Sequence, residues 1–222
     1  MSGTAPERGV DRGEPDLVLA DLVSPALYLG SERLLRLLPA LDWRPASGAN
    51  RWTTLQRPVW EERAAELGLP FVWPEVDRSR LPLAMRVASF AWEAGRAREF
   101  LVGATRLAYC GGFDLGDVET IAAAADAACL DAALCEQACG EVWRDAGLRA
   151  AARAAGAAGA GALPAVRVGG RLFCGERRIE AAADAWKRPA SGRRRTPGAA
   201  SPDPGAKPRE AASQLAEKSI AR

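Results

Sequence analysis

Leu17-Val18-Leu19-Ala20-Asp21-Leu22-Val23-Ser24-Pro25-Ala26-Leu27-Tyr28-Leu29 decides how the chain begins to fold. Its first half, Leu17 to Leu22, is a short apolar run suited to a buried strand. Ser24 stands where a helix N-cap is expected, with Pro25 at the first helical position. Beyond it Leu27, Leu34, Leu35 and Leu38 recur at helical spacing, which predicts a helix from Ala26 to Leu38. Leu41 to Ala46 reads as a second strand and completes a strand-helix-strand unit.

Working outward, the pattern from Arg57 to about Ala158 is helical throughout. It predicts helices over Val59 to Leu67, Ala84 to Glu93, Ala97 to Tyr109, Leu115 to Ala128, Asp131 to Val142 and Arg144 to Ala157, with breaks at glycines and prolines. After Leu163-Pro164, the runs Ala165 to Val168 and Arg171 to Cys174 flank Gly169-Gly170 as a two-residue-turn hairpin. Glu176 to Trp186 then reads as a closing helix. The order is strand-helix-strand, a helical block, strand-strand-helix. That is an α/β, thioredoxin-like fold with an all-helical insertion, residues 57–158, between the second and third strands. One domain is expected over 16–187, between an N-terminal tail (1–15) and a C-terminal tail (188–222) too polar to order themselves.

Composition excludes several chemistries. The chain has no histidine, so Ser-His and Cys-His nucleophile pairs, HExxH zinc sites and histidine acid-base catalysis are absent. Five cysteines, Cys110, Cys129, Cys135, Cys139 and Cys174, form no CxxC, and their odd number predicts reduced thiols used mainly as packing. Cys135 and Cys139 share a helical face but lack further ligands nearby in sequence, so no metal is expected. From Lys187 to Arg222 there are nine basic and three acidic residues, so the basic character belongs to the tail and not to a nucleic-acid-binding body. The seven tryptophans are dispersed and form no stacking platform. Met1 to Pro15 lacks an apolar core of signal-peptide length and no later run suits a membrane span, so a cytoplasmic protein is expected.

Asp21-Leu22-Val23-Ser24-Pro25-Ala26-Leu27-Tyr28-Leu29 resembles the D-x-x-S-P-x-x-Y-L segment of the 2-hydroxychromene-2-carboxylate isomerases and kappa-class glutathione transferases, in the DsbA-like thioredoxin group. Three further segments agree in order and spacing. Trp43-Arg44-Pro45 is similar to the second strand of that family. Arg63-Ala64-Ala65-Glu66-Leu67-Gly68-Leu69-Pro70 resembles its R-x-A-x-x-L-G-L-P segment. Gly161-Ala162-Leu163-Pro164-Ala165 through Leu172-Phe173-Cys174-Gly175 resembles its ending, G-x-x-G-V-P-T to L-F-x-G-x-D-R.

The resemblance implies a glutathione-like thiol cofactor and a thiol-dependent isomerase or transferase acting on an aromatic-derived small molecule, with homodimers common among relatives. Ser24 would stand in place of the first DsbA cysteine and hold the thiolate, although a serine there is equally suited to capping the helix alone. Leu163 and Pro164 match the proline turn before the third strand, which in thioredoxin folds is cis and exposes backbone to the ligand; a purely structural turn is the alternative. Asn50 matches an asparagine that helps bind the glutathione backbone, or serves only its Gly-containing loop. Where the family carries an aspartate for the γ-glutamyl ammonium, this chain has Arg177, and Glu176 is the acid left to meet it. A different thiol, a more acidic ligand or a binding protein without activity stay open. Disulfide exchange is not expected, because Ser24-Pro25-Ala26-Leu27 holds no sulfur. Trp60, Trp92 and Phe100 are candidate apolar walls of a substrate cavity.

Overall fold

The computed structural model describes residues 15–47, 56–74 and 81–188. Both expected tails therefore lie, almost whole, outside the described residues, as does Asn50.

Among the described residues four short strands form one mixed sheet: β1 (Leu17–Ala20), β2 (Asp42–Pro45), β3 (Ala165–Val168) and β4 (Arg171–Cys174), in the order β2-β1-β3-β4. β1 is parallel to β2, with Val18 opposite Trp43, and antiparallel to β3, with Val18 opposite Val166. The β3–β4 hairpin turns at Gly169 and Gly170, whose φ values of 57° and 74° fit the left-handed turn that a right-twisted hairpin prefers. β2 is an edge strand, so Pro45 interrupts no ladder on its outer side.

All four residues of β1 are buried, and their alternation divides the interior in two. Val18 and Ala20 face the larger core, shared with Leu27 and Leu34 of α1 (Ala26–Leu37) and Ile179 and Ala182 of α8 (Ile179–Lys187). Leu17 and Leu19 face a smaller core, closed by Ala151, Ala152 and Ala155 of α7 (Arg144–Ala157) and by Leu163. The alanine-rich stretch thus supplies the helix whose small side chains fill the core on the second face of the sheet.

Among the described residues six helices lie in sequence between β2 and β3: α2 (Arg57–Glu66), α3 (Leu81–Glu93), α4 (Ala97–Tyr109), α5 (Val118–Ala127), α6 (Ala132–Gly140) and α7. α4 and α7 start where the sequence placed them, and the starts of α2, α3 and α5 differ for physical reasons. α2 and α3 begin earlier, taking Pro58 and Pro82 into their first turns, where a missing N–H costs no hydrogen bond. α5 begins later, because Asp117 caps it by accepting from the Thr120 N–H. The closing helix opens with a 3-10 turn, Glu176–Arg178, before α8. Bidentate contact of Arg86 with Asp145 (2.9 and 3.0 Å) and a bond from Arg144 to Glu93 (2.7 Å) tie α7 back to α3, while Arg144 also bonds Glu141 (2.5 Å) at the end of α6.

Phe100, expected as a cavity wall, is fully buried in the larger core, and Trp92 is exposed under the Arg44 guanidinium; neither lines the cleft described next. No helix among the described residues is long and apolar enough to cross a membrane.

Candidate functional site

A cleft of about 420 Å³ opens where the N-terminus of α1, one face of α2, the segment before β3 and the end of β4 meet. Ser24 and Ala26 come from the α1 end. Gln56, Val59, Trp60 and Arg63 form one stripe of α2, at the three- and four-residue spacing that shares a helical face. Leu163 enters from the turn before β3, and Cys174, Gly175, Glu176 and Arg177 from the end of β4.

Ser24 is only 3% exposed. It is not the residue at the cap position expected of it: Pro25 holds that place with helical φ/ψ, and α1 has no side-chain cap hydrogen bond. The serine sits one residue further out, at the positive end of a twelve-residue helix that has no acid in its first turn. A developing or resident negative charge beside Ser24 is favoured there.

Leu163-Pro164 is a cis peptide. The Pro164 carbonyl accepts from the Gly175 N–H at 2.8 Å, which fixes the turn before β3 against the end of β4. Gly175 has φ 82°, a conformation that a side-chain-bearing residue would resist, so the chain can double back from β4 into the Glu176 turn.

Glu176 is 4% exposed and fully engaged. Its oxygens accept from Arg63 Nε at 2.8 Å and Arg63 Nη2 at 3.1 Å, and it also binds Arg33 of α1. Arg63 reaches on to Glu66 at 2.7 Å, and Arg33 to Glu180 at 2.9 Å. Hydrogen bonds donated to Glu176 and Glu66 drive the pKa of the Arg63 guanidinium further above its already high value, and the same Arg63 contact holds Glu66 below the usual carboxylate range. Arg177, 65% exposed, stands at the cleft margin 3.6 Å from Glu176. The acid that the sequence offered to a ligand ammonium is therefore already the hub of an arginine cluster, and the cleft is lined by two guanidiniums, Arg63 and Arg177, against one carboxylate.

The site thus gathers Ser24, Leu163 and Glu176, with Pro164 directly behind Leu163. It adds Trp60, whose Nε1 is buried without an acceptor among the described residues, and the Cys174 thiol, which contacts the Gly159 carbonyl at 3.8 Å. Arg63 was not singled out from sequence, although the stripe Gln56, Val59, Trp60, Arg63 carries the periodic signal that would have grouped it with Trp60. All five thiols are free, and the described residues contain no cluster of potential metal ligands.

The architecture is a thioredoxin-like α/β fold. The fold matches a 2-hydroxychromene-2-carboxylate isomerase with a TM-score of 0.61 and 16% identity, over 77% of this chain and 93% of that one. It also matches a probable DsbA oxidoreductase from Streptomyces coelicolor with a TM-score of 0.59 and 19% identity, over 77% of this chain and 87% of that one. No protein-family model and no curated protein matches the sequence.

Proposed function

We propose that the protein is a cytoplasmic, thiol-dependent isomerase or transferase for an aromatic-derived small molecule, with the cleft at Ser24 as its active site. The observation that carries this reading is the convergence of Ser24, the Leu163-Pro164 turn and two arginines on one cleft at a helix N-terminus. A glutathione-like thiol would supply a nucleophilic sulfur that adds reversibly to a conjugated double bond, allows rotation about the resulting single bond and leaves again. Ser24 fits the sulfur end of such a group: its hydroxyl can donate to a thiolate and, with the helix terminus, keep that sulfur ionised. Leu163 offers backbone for strand-like pairing. Trp60 and Val59 form an apolar wall for the organic portion.

The opposite end fits differently. Glu176 is shared between Arg33 and Arg63, so an α-ammonium would have to compete with two guanidiniums for it. The reading we adopt is that Glu176 positions Arg63, and that Arg63 and Arg177 meet carboxylates of the ligand. This favours an acidic thiol over one recognised through its ammonium. Five free thiols and no sulfur at Ser24-Pro25-Ala26-Leu27 favour a reducing compartment and no disulfide exchange.

The engagement of Glu176 also supports a second reading, a binding module that keeps the DsbA-like fold without thiol chemistry. Calorimetric titration with glutathione and with acidic thiols, comparing the protein with Ser24→Ala, separates the two. Saturable thiol binding that weakens in the variant, with a raised pKa of the bound thiol, is expected of the enzyme. Absence of binding by every thiol tested rejects the enzyme and leaves the binding module.

A further inference from the structure

A second and larger cavity, about 610 Å³, lies on another side of α1, walled by α1, α4, α5 and the Leu69-Pro70 turn. It shares no lining residue with the Ser24 cleft. Its volume falls within the roughly 300–1,000 Å³ usual for small-molecule sites. Leu69, Leu107, Ala123 and Ala127 make its walls mostly apolar.

The polar groups around it are already satisfied. Arg106 and Glu32 pair with each other at the rim. The Ser31 hydroxyl donates to the Tyr28 carbonyl at 3.0 Å. The Tyr28 hydroxyl donates to the Pro70 carbonyl and lies against the Cys110 thiol. Burial and that thiol push the Tyr28 phenol up to about 12, so it stays neutral over the physiological range. The cavity therefore offers apolar surface, one accessible thiol and no unopposed charge.

We propose that this cavity is a second binding site, for a compact, uncharged and largely apolar molecule that seats against Leu107 and Ala123 and covers the Cys110 thiol. An ionic ligand would have to break the Arg106–Glu32 pair, whereas an uncharged apolar one gains by releasing water from the walls. Cys110 gives the site a built-in reporter, and Cys129, also exposed but outside the cavity, gives the control.

The test uses the full chain and the neutral fluorophore N-phenyl-1-naphthylamine. Its fluorescence should rise saturably with a single site. At ten times its Kd it should slow alkylation of Cys110 by N-ethylmaleimide about tenfold, by simple occupancy, and leave Cys129 unaffected in peptide mass spectra. Ala123→Trp, an exposed position on α5, should fill the cavity and abolish both effects, with Ala127→Trp as a second occluding variant should the first not fold. Val59→Trp, which obstructs the other cleft, should change neither. The proposal is overturned by lack of saturable binding, by equal protection of Cys110 and Cys129, or by binding that Val59→Trp removes and Ala123→Trp spares.

Discussion

Replacing Glu176 by glutamine probes the joint between fold and site. The carboxylate is buried and bridges Arg33 of α1 to Arg63 of α2, beside the start of α8. Removing one partner of a buried ion pair costs about 3–5 kcal/mol, because the other charge is stranded. Here the loss is smaller, since Arg33 keeps Glu180 at 2.9 Å and Arg63 keeps Glu66 at 2.7 Å. Glutamine also retains one acceptor oxygen. The expected destabilisation is about 2–3 kcal/mol, or roughly 4–12 °C in Tm for a domain of this size. Urea unfolding followed by circular dichroism should show a lower midpoint with an unchanged m-value. In a cycle with Arg63→Met, the double variant should be less damaged than the sum of the singles by about 1–2 kcal/mol. Additive losses, or a loss for Glu176→Gln below about 0.5 kcal/mol, would refute the bridge. The same variant should also weaken thiol binding at the cleft if Glu176 acts by holding Arg63.

Two further outcomes follow from titrating groups. Arg86 hydrogen bonds hold Asp145 below the usual carboxylate range; a depressed folded pKa contributes stability that is present above the unfolded value and lost as pH falls through the folded one. Tm of the protein should drop on acidification below about pH 4, and Asp145→Asn should lower Tm at neutral pH while flattening that acid limb. The Tyr28 phenol, raised to about 12 chiefly by burial, is the opposite case for an acid: stability should fall as pH rises above about 10, where the unfolded phenol ionises first. Absorbance titration of the two tyrosines should show a component near 12 that Tyr28→Phe abolishes.

Much of the fold was legible because its signals are local. The bounds of α4 and α7, and both strands of the Gly169-Gly170 hairpin, coincide with the periodic and turn patterns that announced them. The misplaced helix starts at Leu81 and Val118 turn on whether a proline or an aspartate opens the helix, and both signals were present in Pro82 and Asp117. The cleft was legible only in part. Ser24 and Leu163 stand beside prolines at element boundaries, where the chain marks them. The Arg33–Glu176–Arg63 hub was not legible, because its members come from three helical segments far apart in sequence and no local pattern links them. For the same reason Phe100 and Trp92 were misplaced as candidate cavity walls: hydrophobicity does not say which interior a side chain enters, as with Phe100, or whether it stays at the surface under a guanidinium, as with Trp92.

The pairing of Val18 with Val166 has a consequence for biosynthesis. β1 is among the first parts of the domain to be made, yet β3, one of its two flanking strands, begins only after the whole helical block, at Ala165. At about 5–20 residues per second, that partner emerges from the ribosome on the order of ten seconds afterwards. Through that interval the apolar strand has only β2 beside it, its other edge open to whatever meets it. The nascent chain therefore relies on its early helices, or on a chaperone, to shelter β1 until translation delivers the hairpin that closes both the sheet and the cleft.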